Sequence, residues 1–166
     1  MKTRSVLGVD FGGVINDGAS HPSGDDTAFL SGGFDEAMQT PAMAGVVPSL
    51  ARLTRTFQGQ VWVVSKCGPR IQERTEQWLR SHRFFEETDV PETHIRFCRK
   101  RPEKAVHCAE LGITHFVDDR SDVLEYLEGI VEHRYLFGSR AAEVPRGAKR
   151  VKNWIEAEAS IFATLA

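Results

Sequence analysis

The chain has 166 residues, 41% of them hydrophobic and 27% charged, which is typical of one compact globular domain, here placed over residues 1–166. The formal net charge of −2 excludes the strongly basic surface that favours nucleic acids or anionic membranes. No apolar run approaches the roughly 20 residues needed to cross a bilayer, so we expect no membrane partner.

The first predicted strand, residues 5–10, is a short apolar run that stops at Asp10 and is followed by the pair Gly12-Gly13. This pattern indicates a buried strand that ends in a tight turn. Residues 16–43 are rich in glycine, serine and aspartate, which predicts a flap or specificity loop. We expect Phe29, Leu30 and Phe34 in this segment either to pack on the core or to line the site.

Strands and helices alternate through the rest of the chain. Helices are predicted at 46–57, 70–84, 102–111, 123–127 and 151–165, and strands at 60–65, 94–98, 114–118 and 135–137. The alternation predicts a three-layer α/β/α Rossmann-like domain with a mostly parallel five-stranded sheet and no large cap domain. In such sheets ligands bind at the carboxyl ends of the strands, so Asp10, Ser65 and Asp118 should converge on one crevice.

The three cysteines, Cys67, Cys98 and Cys108, form neither a CxxC pair nor a metal-ligand spacing. We interpret them as small buried hydrophobic residues. Their odd number, together with the lack of a secretory segment, predicts a reducing, cytoplasmic setting.

The segment Asp10-Phe11-Gly12-Gly13-Val14 is ambiguous when taken alone. It fits an aspartate that caps its own loop, and it also fits the phosphate loop of actin-like sugar kinases. Those kinases need two domains and a second phosphate loop, which this sequence lacks. Ser65 could merely end its strand, and Lys104 could be a surface residue near the start of its helix.

The order of four motifs favours a different interpretation. An aspartate after the first strand, a hydroxyl after the second, a helical lysine and an acid pair after the fourth strand follow in the sequence as Asp10, Ser65, Lys104 and Asp118-Asp119. This order resembles the four motifs of the haloacid-dehalogenase-like (HAD) superfamily of hydrolases, and the resemblance runs from about Val6 to Asp122.

The resemblance implies a phosphatase in which Asp10 attacks the phosphoryl group and forms an aspartyl-phosphate. It implies magnesium (Mg²⁺) as the cofactor, held by Asp10, the Gly12 carbonyl and Asp118, with Asp119 binding the metal or one of its waters. Ser65 and Lys104 would bind the phosphate and, with Asp10, form the catalytic set. Asp122, by contrast, is expected to cap the next helix rather than to bind metal.

Position 12 departs from the family, because HAD phosphatases usually have an acid/base aspartate there and this chain has Gly12. Three explanations stay open: another proton donor such as water or one of Asp17, His21, Asp25 and Asp26; a substrate with a good leaving group; or a weakened protein that binds a phosphorylated ligand without efficient turnover. The acid pair argues against dehalogenation.

Residues 16–43 and 65–104 are too short to contain a cap domain, so the crevice should be open. An open crevice would accept either a small phosphorylated molecule or the phosphorylated end of a macromolecule. A neighbouring subunit of a homo-oligomer could complete the site. A basic run between Arg96 and Lys104 raises a nucleic-acid end as a narrower option, while a second run, 146–152, is interpreted as a solvated face.

Overall fold

A computed structural model describes residues 4–140 and 143–165. Its strands form one sheet in which every neighbouring pair is parallel, in the order β3-β2-β1-β4-β5-β6. The strands are β1 Leu7–Val9, β2 Val61–Lys66, β3 Ile95–Cys98, β4 His115–Asp118, β5 His133–Phe137 and β6 Ala148–Val151. This is the strand order of a doubly wound Rossmann-like sheet, as the sequence predicts.

The helices cover both faces of the sheet and complete three layers. They are α1 Ala28–Ser31, α2 Phe34–Met38, α3 Val46–Thr56, α4 Pro69–Ser81, α5 Phe84–Thr88, α6 Glu103–Leu111, α7 Ser121–Tyr126 and α8 Trp154–Ala163. One core lies between the sheet and α3, α4, α5 and α8, and includes Leu50, Trp78 and Trp154. The other lies under α6 and α7 and includes Cys108 and Phe116.

The predicted strand count of five was wrong, because β6 forms a sixth strand at the edge of the sheet beside β5. The segment Ala148–Val151 has two adjacent basic residues and buries only Val151, so it lacks the apolar run that reveals a central strand. Charged side chains are common on edge strands because one side of such a strand faces solvent.

The terminal helix begins at Trp154, three residues later than the predicted start at Val151, which belongs to β6. The helix start is fixed by Asn153, whose side-chain oxygen accepts a hydrogen bond from the Glu156 amide at 2.9 Å. This is an N-cap, and it satisfies one of the amides that the first turn leaves without a partner.

The segment 16–43, predicted as a flap or specificity loop, contains two short helices, α1 and α2. Its two ends are joined, since the Asp17 amide donates to the Pro41 carbonyl and the Met43 amide to the Ile15 carbonyl, both at 2.8 Å. Helix α4 holds the segment near its end, where the Trp78 indole donates to the Thr40 carbonyl at 2.8 Å.

The three apolar residues of this segment have different surroundings. Phe29 is buried and its ring lies 5.5 Å from that of Phe11, so it packs on the core. Leu30 and Phe34 are about half exposed, with 53% and 49% of their surface accessible.

Among the described residues no helix is both long and apolar enough to span a membrane. The strands of the described chain all belong to one sheet. The predicted single domain also covers residues 1–3, 141–142 and 166, which lie outside the described residues.

His115 makes the fold sensitive to acid. Its ring is buried at the start of β4, with Nδ1 2.8 Å from the Thr114 hydroxyl and Nε2 2.7 Å from the Thr164 hydroxyl. Burial, together with the neighbouring His133, lowers the pKa of His115 to about 4. Because the unfolded chain takes up this proton near pH ~6.5, stability is lost as the pH falls from there towards the folded pKa.

Acidification from about pH 7 to about pH 4.5 should lower the free energy of unfolding of the wild type. In His115→Gln we expect this loss to be smaller by on the order of 2 kcal/mol. Denaturant unfolding at the two pH values measures this difference. His107→Gln, which changes a half-buried histidine on α6, is the control and should keep the wild-type acid dependence. An unchanged acid dependence in His115→Gln would contradict the assignment.

Candidate functional site

The register of the sheet brings Asp10 and Asp118 side by side. Val9 is paired with Val117 across β1 and β4, so the next residue of each strand, Asp10 and Asp118, lies at the same level at the carboxyl edge. The Asp10 amide donates to the Val117 carbonyl at 3.0 Å, which continues the ladder to this point. Asp118 is fully buried and Asp10 keeps 7% of its surface exposed.

Lys104 joins the two carboxylates. Its Nζ donates to Asp10 Oδ1 at 2.9 Å and to Asp118 Oδ2 at 2.8 Å, and the lysine is itself buried. The lysine lies in the first turn of α6, which packs against the face of the sheet that carries both carboxylates. The ion pairs are therefore made inside the protein, where solvent screens them little.

The cluster holds three carboxyl groups and only one ammonium group, that of Lys104. Burial lowers the pKa of Lys104, but the charges and hydrogen bonds of Asp10 and Asp118 outweigh it, so the pKa of the lysine is raised. Burial and the charge of Asp10 raise the pKa of Asp118 to about 7, although Lys104 opposes them. Burial, followed by Asp10 and Asp118, raises the pKa of Asp119 to about 8. One ammonium group is thus too little to neutralise three carboxyl groups.

The three carboxylates are close enough to share a cation. Asp10, Asp118 and Asp119 each offer an oxygen, and these oxygens lie within 4.8 Å of one another. Oxygen donors of this type are those that hard divalent cations prefer, and the excess negative charge of the cluster has the matching sign. The residues present therefore fit such a cation, which would relieve the mutual repulsion that raises the carboxyl pKa values.

The loop after β1 is compact. The Phe11 carbonyl accepts hydrogen bonds from three amides, of which the Ile15 amide at 2.8 Å is the nearest. The Gly13 amide donates to the backbone and side-chain oxygens of Asn16, which is buried. Sequence reasoning missed Asn16, and only the tight Gly-Gly turn before it could have pointed to this role.

Gly13 is required where it stands. It has φ +75°, and a Cβ built there would collide with Asp119 Oδ2. A side chain at this position would be strained and would also displace a carboxylate of the cluster.

Gly12 is exposed, and a Cβ built there would meet no atom within 4 Å. Within the described residues no backbone hydrogen bond uses the Gly12 carbonyl, which leaves this oxygen available to a ligand.

Ser65 lies on β2, which neighbours β1, one residue beyond the level of Asp10. It is buried, and it precedes the half-buried Cys67 by two residues. No hydrogen bond of the described chain joins it to the carboxylates, so Ser65 borders the cluster without belonging to it.

Cys98 and Cys108 are buried, as the sequence predicts, but Cys67 is only half-buried, because it follows the end of β2 at the edge of the crevice. Burial is the main factor that raises the pKa of Cys67 to about 11 and of Cys108 to about 12, which disfavours the reactive thiolate.

Four side chains of segment 16–43 were considered as alternative proton donors, and three of them are held by hydrogen bonds within this segment. His21 is buried, with its two ring nitrogens 2.7 Å from the Ser23 hydroxyl and the Glu36 carbonyl. Asp17 accepts a hydrogen bond from the Ser20 hydroxyl at 2.6 Å, and Asp25 accepts from the Thr27 hydroxyl at 2.7 Å and from its amide. Asp26 is exposed.

Asp122 lies outside the carboxylate cluster. Its carboxylate accepts two hydrogen bonds from the Arg120 guanidinium, both at 3.1 Å, and another from the Val123 amide in the first turn of α7. The predicted role as a helix cap was wrong, because Asp122 is the second residue of α7 and the N-cap residue is Arg120, which makes no side-chain cap hydrogen bond.

The basic run 96–104 does not form one surface. Lys104 is buried in the site, whereas Arg96 lies over the Trp62 ring and pairs with Glu110 at 3.3 Å. Arg99 and Lys100 are exposed in the loop between β3 and α6.

Comparison with known proteins identified no relatives: no family model matches the chain, and no curated protein is significantly similar to it.

Lys104 should be essential for stability as well as for the site. Lys104→Met leaves Asp10 and Asp118 without their buried counter-charge, so we expect the free energy of unfolding to fall by about 3–5 kcal/mol at neutral pH. Denaturant unfolding without added metal measures this loss. Lys100→Met, on the exposed loop before the same helix, is the control and should change stability by less than about 0.5 kcal/mol. Equal stability of the two variants would contradict the inferred role.

Proposed function

We propose that this protein is a Mg²⁺-dependent phosphatase of the haloacid-dehalogenase-like superfamily, which hydrolyses phosphate esters through an aspartyl-phosphate at Asp10. The observation that carries the proposal is the Asp10–Lys104–Asp118 cluster at the carboxyl edge of β1 and β4, with Asp119 beside it. The order of the motifs in the sequence and this arrangement in space support the same assignment.

Asp10 is the proposed nucleophile because it is the carboxylate at the tip of the central strand that keeps some contact with solvent. Lys104 holds one of its oxygens, Oδ1, at 2.9 Å, which fixes the carboxylate and leaves the other oxygen available for attack. A carboxylate that attacks phosphorus divides one difficult displacement into two easier ones.

The remaining residues of the site are proposed to bind the metal and the phosphate. Asp118 and Asp119, with Asp10 and the Gly12 carbonyl, are the proposed ligands of Mg²⁺, which when bound would screen the carboxylates from the phosphate and orient its oxygens. Lys104 supplies a buried positive charge next to the reacting carboxylate. Ser65, one residue above the level of Asp10, is the proposed donor to a phosphate oxygen.

A second candidate function rests on Gly12. Without an acid/base group at this position, the same cluster could bind a phosphorylated ligand or partner and turn it over slowly. The two functions share the binding site and differ only in the rate of phosphate release.

We expect the protein to release phosphate from an aryl phosphate in the presence of Mg²⁺. Chelation of the metal should abolish release, and Asp10→Asn should lower it by at least about 10³-fold, because the amide cannot act as the nucleophile. Colorimetric phosphate release over a panel of phosphate esters, with and without Mg²⁺, measures both effects.

Calorimetric titration of Mg²⁺ separates the two candidate functions. Asp118→Asn should weaken Mg²⁺ binding, whereas Asp122→Asn, at a nearby partly exposed carboxylate outside the cluster, should not. Mg²⁺ binding that follows this pattern, without phosphate release from any ester, would refute the phosphatase and support the binding protein. A chain that binds no Mg²⁺ and releases no phosphate would contradict both.

A further inference from the structure

Two cations lie at the ends of the strands on either side of β1, the strand that leads to Asp10. Lys66 is the last residue of β2, and Arg120 comes two residues after the end of β4, beyond the bend at Asp119. Both side chains are exposed. Since Val9 is paired with Val63, Lys66 lies two residues, or about 7 Å of strand rise, beyond the level of Asp10.

The Lys66 side chain lies on the same face of the sheet as the carboxylate cluster. Residues of a strand alternate between faces, and Lys66 follows Val64 on the face that packs under α6 and α7. That is the face where Lys104 meets Asp10.

Arg120 follows the acid pair directly, and its own amide donates to Asp118 Oδ1 at 3.0 Å. Its guanidinium is oriented by the two hydrogen bonds to Asp122, which also lies 3.9 Å from Arg101. One carboxylate is thus shared by two guanidinium groups.

The loop after β1 lacks the acid, whereas the strand ends on both sides of it carry these cations. Gly12 faces open space, and His21, Asp17 and Asp25 make their hydrogen bonds within segment 16–43. We therefore expect fixed positive charge, instead of a proton donor, beside the leaving group.

We propose that the substrate is a phosphoanhydride, in which the group that leaves is itself a phosphate, as in pyrophosphate or a nucleoside diphosphate. This inference rests on the proposed function and specifies its substrate class. A departing phosphate carries several negative oxygens and needs no proton, so a site with two cations and no acid suits it better than it suits an alkoxide or a carboxylate.

The reaction balances with water as the second reactant. An Asp10 oxygen forms a bond to the terminal phosphorus while the bond from that phosphorus to the bridging oxygen breaks, and the electron pair stays on the departing phosphate. Water then attacks the phosphoryl group on Asp10, which restores the carboxylate and releases phosphate and a proton.

The kinetic test compares pyrophosphate, acetyl phosphate, an aryl phosphate and glycerol phosphate as substrates of the Mg²⁺-loaded protein. We expect kcat/KM to be highest for pyrophosphate. Lys66→Ala and Arg120→Ala should each lower that value roughly tenfold to hundredfold and change the value for the aryl phosphate far less. Lys149→Ala, an exposed cation on β6, is the matched control and should alter neither.

A second variant tests the missing acid directly. Gly12→Asp fits the open space at this position, and it should raise turnover of glycerol phosphate by about 10²–10⁴-fold by supplying the proton donor. No gain in a folded Gly12→Asp protein, or an equal effect of Lys66→Ala on all substrates, would overturn the inference.

Binding gives a readout that does not depend on turnover. In the Asp10→Asn background, calorimetry with methylenediphosphonate and with inorganic phosphate should show tighter binding of the diphosphonate, and Lys66→Ala should remove the difference. Equal affinities would overturn the inference. If no substrate releases phosphate, the proposed phosphatase is refuted, and this binding comparison still decides whether the site recognises a diphosphate.

Discussion

The buried contact of Lys104 with Asp10 and Asp118 is the interaction on which the rest of the site depends. Three chain segments, the ends of β1 and β4 and the start of α6, meet at this one ammonium group. Two carboxylates at adjacent strand ends would repel each other in a poorly solvated place, and the lysine offsets only part of that repulsion. The remaining negative charge, increased by Asp119, is what gives the site its affinity for a cation in our account.

The sheet explains why the cluster forms at this edge. Parallel strands end together at the carboxyl edge, and the helices that follow them start there and run away from it. Segment 16–43 packs on α4 through Trp78 and Arg74 and does not carry a domain large enough to form a cap. In our account, selection of the substrate then falls to the strand ends and the short loops that follow them, where Lys66 and Arg120 lie.

Much of this arrangement follows from the sequence, because buried parallel strands are apolar runs and their ends are marked by polar residues. That pattern was sufficient to predict five strands and the convergence of Asp10 with Asp118. It was insufficient to predict β6, because a segment with two adjacent basic residues is also typical of a loop, and it did not predict that Cys67 is only half-buried. Lys66 and Arg120 were missed for another reason: only the order of the strands shows that the chains that carry them end on either side of β1, and strand order is a long-range property.

The central claim is that Asp10 becomes phosphorylated, and trapping that species tests it most directly. The Mg²⁺-loaded protein would be mixed with an aryl phosphate or pyrophosphate, quenched in acid, digested and analysed by mass spectrometry. The account predicts one added phosphoryl group on the peptide that contains Asp10, lost on treatment with hydroxylamine and absent from Asp10→Asn. Phosphate release with no phosphorylated peptide, or with the group on another residue, would contradict it.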